Sequence, residues 1–124
     1  LCRWALRRSL RLIGDFPEVM VCFDSNHLLR EEHARFFENV GSRIGTIHAS
    51  DYDRRDERHW LPGEGVIDWP DFLRLLRASG YKGVFMHEVR AGENATSANV
   101  VKAYKEVICG KTKKQPTQNA QNHE

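Results

Sequence analysis

Short apolar segments alternate with amphipathic helical segments along the chain, and this order is the feature that most constrains the fold. The predicted strands are residues 19–23, 44–49 and 84–89, and the predicted helices are residues 1–13, 30–40, 68–80 and 96–108. A short continuous apolar run is typical of a strand buried on both faces of a sheet, so Cys22 in the first run is expected to be buried. Strands that alternate with helices predict an α/β fold with parallel strands and right-handed crossovers.

Three strands are too few to close a barrel, since a complete eight-stranded barrel takes about 250 residues. The pattern therefore predicts either roughly the second half of a (β/α)8 TIM barrel or a small doubly wound domain that stands alone, and the pattern by itself does not separate the two. The chain opens with Leu1 inside a predicted helix, which suggests a fragment of a longer reading frame. Residues 1–110 are expected to form the domain. Residues 111–124 lack an apolar anchor and are predicted to be disordered.

Composition argues against several classes of function. The net charge is only +2, and the arginines of residues 1–13 lie opposite apolar side chains at helical spacing. That spacing indicates a solvated helix face rather than a basic stripe that binds nucleic acid. No apolar run approaches the roughly 20 residues of a membrane span. The three cysteines are odd in number and far apart, which suits a reducing, cytoplasmic compartment and not a disulfide framework.

Each predicted strand ends in a cluster of polar residues at its C-terminal end. They read Asp-Ser-Asn-His at 24–27, His-Ala-Ser-Asp at 48–51 and His-Glu at 87–88. The C-terminal edge of a parallel α/β sheet is where ligands bind, so these clusters are expected to meet there. Two carboxylates and an imidazole form a mixed oxygen and nitrogen site that suits Mn²⁺, Mg²⁺, Co²⁺ or Zn²⁺.

Each of the three side chains also has a simpler interpretation. Asp24 could begin a turn or cap the next helix, which is common for aspartate after a strand. His48 could be a core histidine bonded to a backbone carbonyl. Glu88 could be the ion-pair partner of Arg90. Their position at three successive strand ends raises the joint interpretation as a metal site to equal standing with these separate roles.

Four stretches of the sequence carry a family resemblance. They are Cys-Phe-Asp-Ser-Asn-His at 22–27, Ile-His-Ala-Ser-Asp at 47–51, His-Trp-Leu-Pro-Gly-Glu-Gly-Val-Ile-Asp-Trp at 59–69 and Gly-Tyr-Lys-Gly-Val-Phe-Met-His-Glu-Val at 80–89. Together they resemble the xylose-isomerase-like, or sugar-phosphate isomerase/epimerase, barrels, a superfamily that also includes the apurinic-site DNA endonuclease. The resemblance covers about residues 14–108, and the Pro-Gly-Glu-Gly-x-Ile-Asp-Trp block with Asp-x-x-His upstream is its most specific part.

The resemblance implies a metal-dependent isomerase or epimerase of a sugar, sugar phosphate or polyol-derived substrate. Asp24 and His48 match the family's metal ligands. Glu88 matches the glutamate that both binds metal and exchanges a proton with the carbon next to the substrate's carbonyl. His27 matches a histidine that contacts a substrate oxygen, and His59 resembles a loop histidine that faces the site.

Two matches to the family are incomplete. Arg54 lies where some epimerases carry a substrate-binding arginine, although the loops differ in length. The family's first metal ligand is a glutamate on an earlier strand, which is expected upstream of Leu1.

Three alternatives to an isomerase follow from the same residues. A dehydratase or lyase of the superfamily needs the same metal and the same proton abstraction. An apurinic endonuclease uses three metals and carries an Asp-x-His pair before its glycine turn, whereas this chain has Glu57-Arg58-His59, a departure that weakens a multi-metal site. A truncated non-catalytic half barrel would expose sheet edges and could pair with a second copy as a homo-oligomer.

Overall fold

The computed structural model describes residues 3–29, 32–90, 94–108 and 110. Within these ranges the strands are β1 Val21–Asp24, β2 Ile44–Ala49 and β3 Phe85–His87, and the α-helices are α1 Arg3–Asp15, α2 His33–Val40, α3 Trp69–Ala78 and α4 Ser97–Ile108, with a 3-10 turn at Gly41–Arg43. The tail predicted to be disordered, residues 111–124, lies outside the described residues. None of the described helices is long and apolar enough to cross a membrane.

The three strands form one parallel sheet in the order β1-β2-β3. Asp24 pairs with His48 across the first two strands, and Ala49 pairs with His87 across the next two. This arrangement confirms the predicted parallel α/β architecture. Because the strands run in one direction, their C-terminal ends share one edge of the sheet, and the polar residues that follow them meet there.

The core lies between the sheet and helices α2 and α3. Phe23 of β1 and Ile47 of β2 are almost fully buried on this face. The ring of Phe23 lies 4.9 Å from that of Phe37 in α2 and 5.7 Å from that of Phe72 in α3, measured between centroids. These aromatic contacts fix the two helices against the strands.

The opposite face of the sheet is open in the described part of the chain. Cys22 and Met86 are exposed there, on the same face as Asp24 and His48. The prediction that Cys22 is buried is therefore wrong. Alternate side chains of a strand point to opposite faces, and the described helices pack on the face that Phe23 occupies.

Helix α3 begins as the sequence predicts. The Asp68 side chain accepts a hydrogen bond from the backbone N–H of Asp71 at 3.0 Å, and Pro70 lies in the first turn. Gly80, which follows the helix, adopts a left-handed φ of 78°. The first strand begins at Val21, two residues later than predicted, and Val19 is exposed.

The long loop between β2 and α3 folds around the buried carboxylate of Asp51. This carboxylate accepts four hydrogen bonds of 2.8 to 3.1 Å, from the backbone N–H groups of Tyr52, Gly63 and Ile67 and from the indole N–H of Trp69. Charged acceptors of this kind are stable in the interior only when their oxygens are fully paired. The Pro-Gly-Glu-Gly turn is thus held in place by one side chain.

Gly65 allows this loop to close. A Cβ at Gly65 would lie 2.2 Å from the carbonyl oxygen of Tyr52 and 2.3 Å from Oδ1 of Asp51. We expect Gly65→Ala to lower the free energy of unfolding by about 2–3 kcal/mol, because backbone and a buried carboxylate must shift to admit the methyl group. Urea unfolding followed by circular dichroism measures the change.

Gly14→Ala is the matched control, since Gly14 lies in α1 and a Cβ there meets nothing within 4 Å. This variant is expected to equal or exceed the wild type by up to about 1 kcal/mol, because alanine favours a helix over glycine. Equal stability of the two variants would contradict the close approach at Gly65.

Candidate metal centre

The ends of the three strands bring together one carboxylate, one imidazole and a second carboxylate. Asp24 ends β1, His48 lies one residue before the end of β2, and Glu88 follows β3 directly. Nδ1 of His48 lies 2.9 Å from Oε2 of Glu88 and 3.7 Å from Oδ2 of Asp24. The sheet positions all three, since Asp24 pairs with His48 and the N–H of Glu88 donates to the carbonyl of Ala49 at 3.1 Å.

These three side chains fit a divalent cation. Each offers one donor atom, and the three donor atoms lie within 4.8 Å of one another. Donors that bind one ion at about 2.0–2.2 Å must come this close together. Two carboxylate oxygens and one imidazole nitrogen match the preferences of Mn²⁺, Mg²⁺, Co²⁺ and Zn²⁺. The ligand roles of Asp24, His48 and Glu88 remain predictions that this geometry permits.

Asp24 is the most enclosed of the three ligand candidates. Its side chain is 13% exposed, against 32% for His48 and 47% for Glu88. Burial raises the pKa of the Asp24 carboxyl, and the neighbouring Glu88 carboxylate adds to that effect. The backbone N–H of Asn26, which donates to Oδ1 at 2.8 Å, and the nearby His27 lower the same pKa. The net rise means that the folded chain disfavours the charged form of Asp24 unless a cation neutralises it.

A second group of donors lies beside the first. His27, Glu57 and His59 also place one donor atom each within 4.8 Å of one another. Nδ1 of His27 lies 2.6 Å from Oε1 of Glu57, and Nε2 of the same ring lies 3.4 Å from Oδ2 of Asp24. The imidazole of His27 therefore connects the two groups. The sequence does not assign Glu57 to the site, because the contact between Glu57 and His27 depends on the path of the long loop.

His59 occupies a strained position in the middle of the long loop. Its φ is 53°, in the left-handed region that few residues other than glycine adopt. Nδ1 of the ring lies 3.4 Å from the Ser50 hydroxyl and 3.3 Å from the carbonyl oxygen of Glu88, and its own carbonyl accepts from the N–H of Arg90 at 2.9 Å. These contacts join the loop to the ends of β2 and β3.

Arg54 lies apart from both groups. Its guanidinium donates to both carboxylate oxygens of Glu32, at 2.8 and 3.0 Å. Glu32 precedes α2, so this pair ties the loop to a helix and not to the strand ends. A substrate-binding role for Arg54 stays a prediction, and in this structure the side chain is engaged by Glu32.

Comparison with protein families identifies the fold. The family described as xylose isomerase-like TIM barrel matches residues 3–108. The chain belongs to this family. Its three parallel strands and its helices are therefore part of such a barrel.

Relatives and a solved structure agree with this assignment. An uncharacterized protein of Methanocaldococcus jannaschii is 31% identical over 99 residues, which cover 76% of this chain and 34% of the relative. Fructoselysine 3-epimerase of Escherichia coli O157:H7 is 26% identical over 68 residues, which cover 55% of this chain and 24% of the enzyme. The apo crystal structure of 3-keto-D-glucoside 4-epimerase from E. coli shares the fold with a TM-score of 0.67 at 22% identity, over 85% of this chain and 40% of the epimerase. The chain thus spans about a third or less of the curated relatives it matches.

Asp24→Asn is expected to raise the stability of the metal-free chain at pH 7, seen as a higher thermal unfolding midpoint. The pKa of Asp24 is raised above its ordinary 3.8 in the folded chain, so the stability linked to this group is complete below pH 3.8 and is lost as pH rises through the folded pKa. The advantage of Asn over Asp should accordingly vanish near pH 3. Scanning calorimetry across this pH range measures both effects.

Asp53→Asn is a control in which the thermal unfolding midpoint is expected to change in the opposite direction. The backbone N–H groups of Asp56 and Arg55 lower the pKa of Asp53 to about 2. This group stabilises the fold above pH 3.8 and loses that effect as pH falls through about 2, so its amide variant should unfold at a lower temperature at pH 7. A lower midpoint for Asp24→Asn as well would contradict the inferred electrostatics of the ligand group.

Proposed function

We propose that this chain forms part of a metal-dependent sugar isomerase or epimerase. One observation carries the proposal: Asp24, His48 and Glu88 converge at the C-terminal ends of three neighbouring parallel strands. This is the edge at which barrels of this kind carry out their chemistry. The proposed cofactor is a divalent cation, either Mn²⁺, Mg²⁺, Co²⁺ or Zn²⁺, and the proposed substrate is a small sugar.

The matched proteins support the class of reaction. Fructoselysine 3-epimerase and 3-keto-D-glucoside 4-epimerase are both named as epimerases, and they act at different carbons. A shared frame of strand-end ligands with variable loops accounts for one reaction type on different substrates. For this chain we propose the same type of reaction, but we do not propose either of the two named substrates.

Glu88 is the proposed base. When bound, a divalent cation would polarise the substrate's carbonyl and so acidify the adjacent C–H bond. The Glu88 carboxylate would accept the proton from that carbon, while Asp24 and His48 would hold the cation beside it. Return of the proton from the same face to the former carbonyl carbon, with transfer of the adjacent hydroxyl's proton to the former carbonyl oxygen, gives isomerisation. Epimerisation requires a second base on the opposite face, for which the family resemblance implies a glutamate outside this chain.

His27 and His59 are proposed to bind substrate oxygens. Their ring centroids are 5.8 Å apart, and His27 reaches towards Asp24 of the ligand group. Glu57 accepts from Nδ1 of His27 if that nitrogen carries the proton, which would leave Nε2 as the atom that faces the site. Two imidazoles can each donate to or accept from a hydroxyl group, as recognition of a sugar requires.

His48→Ala is expected to abolish tight Mn²⁺ binding, because it removes the central ligand and leaves two carboxylates that repel each other. Calorimetric titration with elemental analysis of the dialysed protein measures the affinity and stoichiometry. His27→Ala is the control, since His27 contacts the ligand group but is not a proposed member of it. Unchanged Mn²⁺ affinity in His48→Ala would rule out the proposed ligand set.

Glu88→Gln is expected to lower turnover by about 10²–10⁴-fold, the range for loss of a general base. The test uses a polypeptide that carries a complete barrel including this chain, with Mn²⁺ bound, and a panel of ketopentoses and ketohexoses. Deuterium uptake from D₂O at the carbon next to the carbonyl, followed by NMR, reports the proton transfer directly. Product mass separates an isomerase from a dehydratase, which would release water.

Glu64→Gln is the matched control for this substitution. The Glu64 carboxylate accepts from the backbone N–H of Leu61 within its own turn at 3.2 Å. Its amide variant should exchange deuterium at the wild-type rate. Wild-type exchange in metal-loaded Glu88→Gln would exclude Glu88 as the base.

A second candidate function is supported by the group His27, Glu57 and His59. These donors could hold a second ion beside the first, which would suit metal-dependent hydrolysis of a phosphodiester as in the apurinic endonucleases. The Mn²⁺ or Zn²⁺ titration separates the candidates. Two ions per chain, one of them lost in Glu57→Gln, would favour the hydrolase, whereas one ion unaffected by that change would favour the isomerase.

A further inference from the structure

Asn26 is fully buried, and its side chain forms hydrogen bonds with three residues of the loop that follows β2. Nδ2 donates to the Ser50 hydroxyl at 3.0 Å and to the carbonyl of Asp51 at 2.8 Å. Oδ1 accepts from the backbone N–H of Arg58 at 2.7 Å. A buried amide this well paired lies in one defined orientation, and its loss would leave several buried polar groups without partners.

The three partners of Asn26 are all connected to His59 or to the residues on either side of it. Arg58, which Asn26 binds directly, is the residue before His59. Asp51 forms two backbone hydrogen bonds with Trp60, the residue after His59, at 2.9 and 3.0 Å. Ser50, the third partner, places its hydroxyl 3.4 Å from the His59 ring. The Asn26 side chain thus restrains the backbone on both sides of His59, and it also binds the Ser50 hydroxyl, which contacts the His59 imidazole.

His59 needs such restraint because its backbone is strained. A left-handed φ in a residue other than glycine or asparagine is unfavourable and persists only where the surroundings enforce it. Without the bonds from Asn26, the loop could relax towards an ordinary backbone conformation. The imidazole would then leave its place beside Glu88.

We propose that Asn26 is a positioning residue that holds His59, and with it the loop that carries Glu57, against the metal-ligand group. The significance of this position for catalysis rests on the proposed function, but the positioning itself does not. Asn26 need not touch substrate or metal in this role. It acts through the backbone of Arg58 and Asp51 and through the hydroxyl of Ser50.

The test compares Asn26→Ala with Asn39→Ala. Asn39 is an exposed residue of α2 whose side chain donates to the carbonyl of Arg35, so it supplies the same substitution away from the site. In Asn26→Ala we expect hydrogen exchange at the amides of Arg58 and Trp60 to quicken about tenfold, as loss of one or two hydrogen bonds implies. The imidazole NMR signals of His59 should shift in Asn26→Ala and should stay at their wild-type positions in Asn39→Ala.

A second readout separates positioning from general stability. In a complete barrel with Mn²⁺ bound, Asn26→Ala should raise KM for the accepted ketose about tenfold and leave Mn²⁺ affinity as in the wild type. Unchanged exchange at Arg58 and Trp60 with unshifted His59 signals would overturn the proposal. Altered exchange with an unaltered KM would support the positioning and overturn its significance for catalysis. If the wild type turns over no ketose, the proposed function fails while the exchange and imidazole data still decide the positioning role.

Ser50→Ala keeps the proposal testable if Asn26→Ala does not fold. This change removes only the hydroxyl between the Asn26 amide and the His59 ring. The His59 imidazole signals should shift in the same direction as expected for loss of Asn26, by a smaller amount. Signals identical to those of the wild type would overturn the proposal.

Discussion

The parallel register of the strands determines where the polar side chains of the site lie. Asp24 stands opposite His48, and the N–H of Glu88 bonds to the carbonyl of Ala49, so three groups distant in sequence become neighbours. A shift of one residue in this register would turn each of these side chains to the other face of the sheet. The aromatic packing of Phe23 against α2 and α3 opposes such a shift, because it would expose that ring. The apolar core therefore stabilises the geometry of the polar edge.

Two buried polar side chains, Asp51 and Asn26, fix the conformation of the long loop. The Asp51 carboxylate accepts hydrogen bonds from three backbone N–H groups of the loop and from the Trp69 indole of α3. Asn26 holds the part of the loop that precedes His59. Each would be costly to bury alone, and each is stable because its partners are complete. Together they replace the regular backbone pairing that a loop lacks. His59 and Glu57 are consequently carried on a segment with a defined shape.

Periodicity and local signals were enough to predict much of this architecture. The alternation of strands and helices, the cap at Asp68 and the polar strand ends depend on neighbouring residues alone, and the structure places them as expected. Whether Cys22 is buried depends on what covers the second face of the sheet, which a local apolar run does not reveal. The pairing of Arg54 with Glu32 and of Glu57 with His27 likewise depends on the path of the loop. Such long-range contacts have no signature in the spacing of residues.

The antiparallel bridge between Asp51 and Trp60 joins the two ends of the segment between them by backbone hydrogen bonds. The segment between them leaves and re-enters the fold at one point, so its length and composition can change without displacing the strands on either side. The three ligand candidates all lie outside this segment. The proposed choice of sugar therefore depends on one segment of backbone that is separable from the strands that hold the proposed ligands.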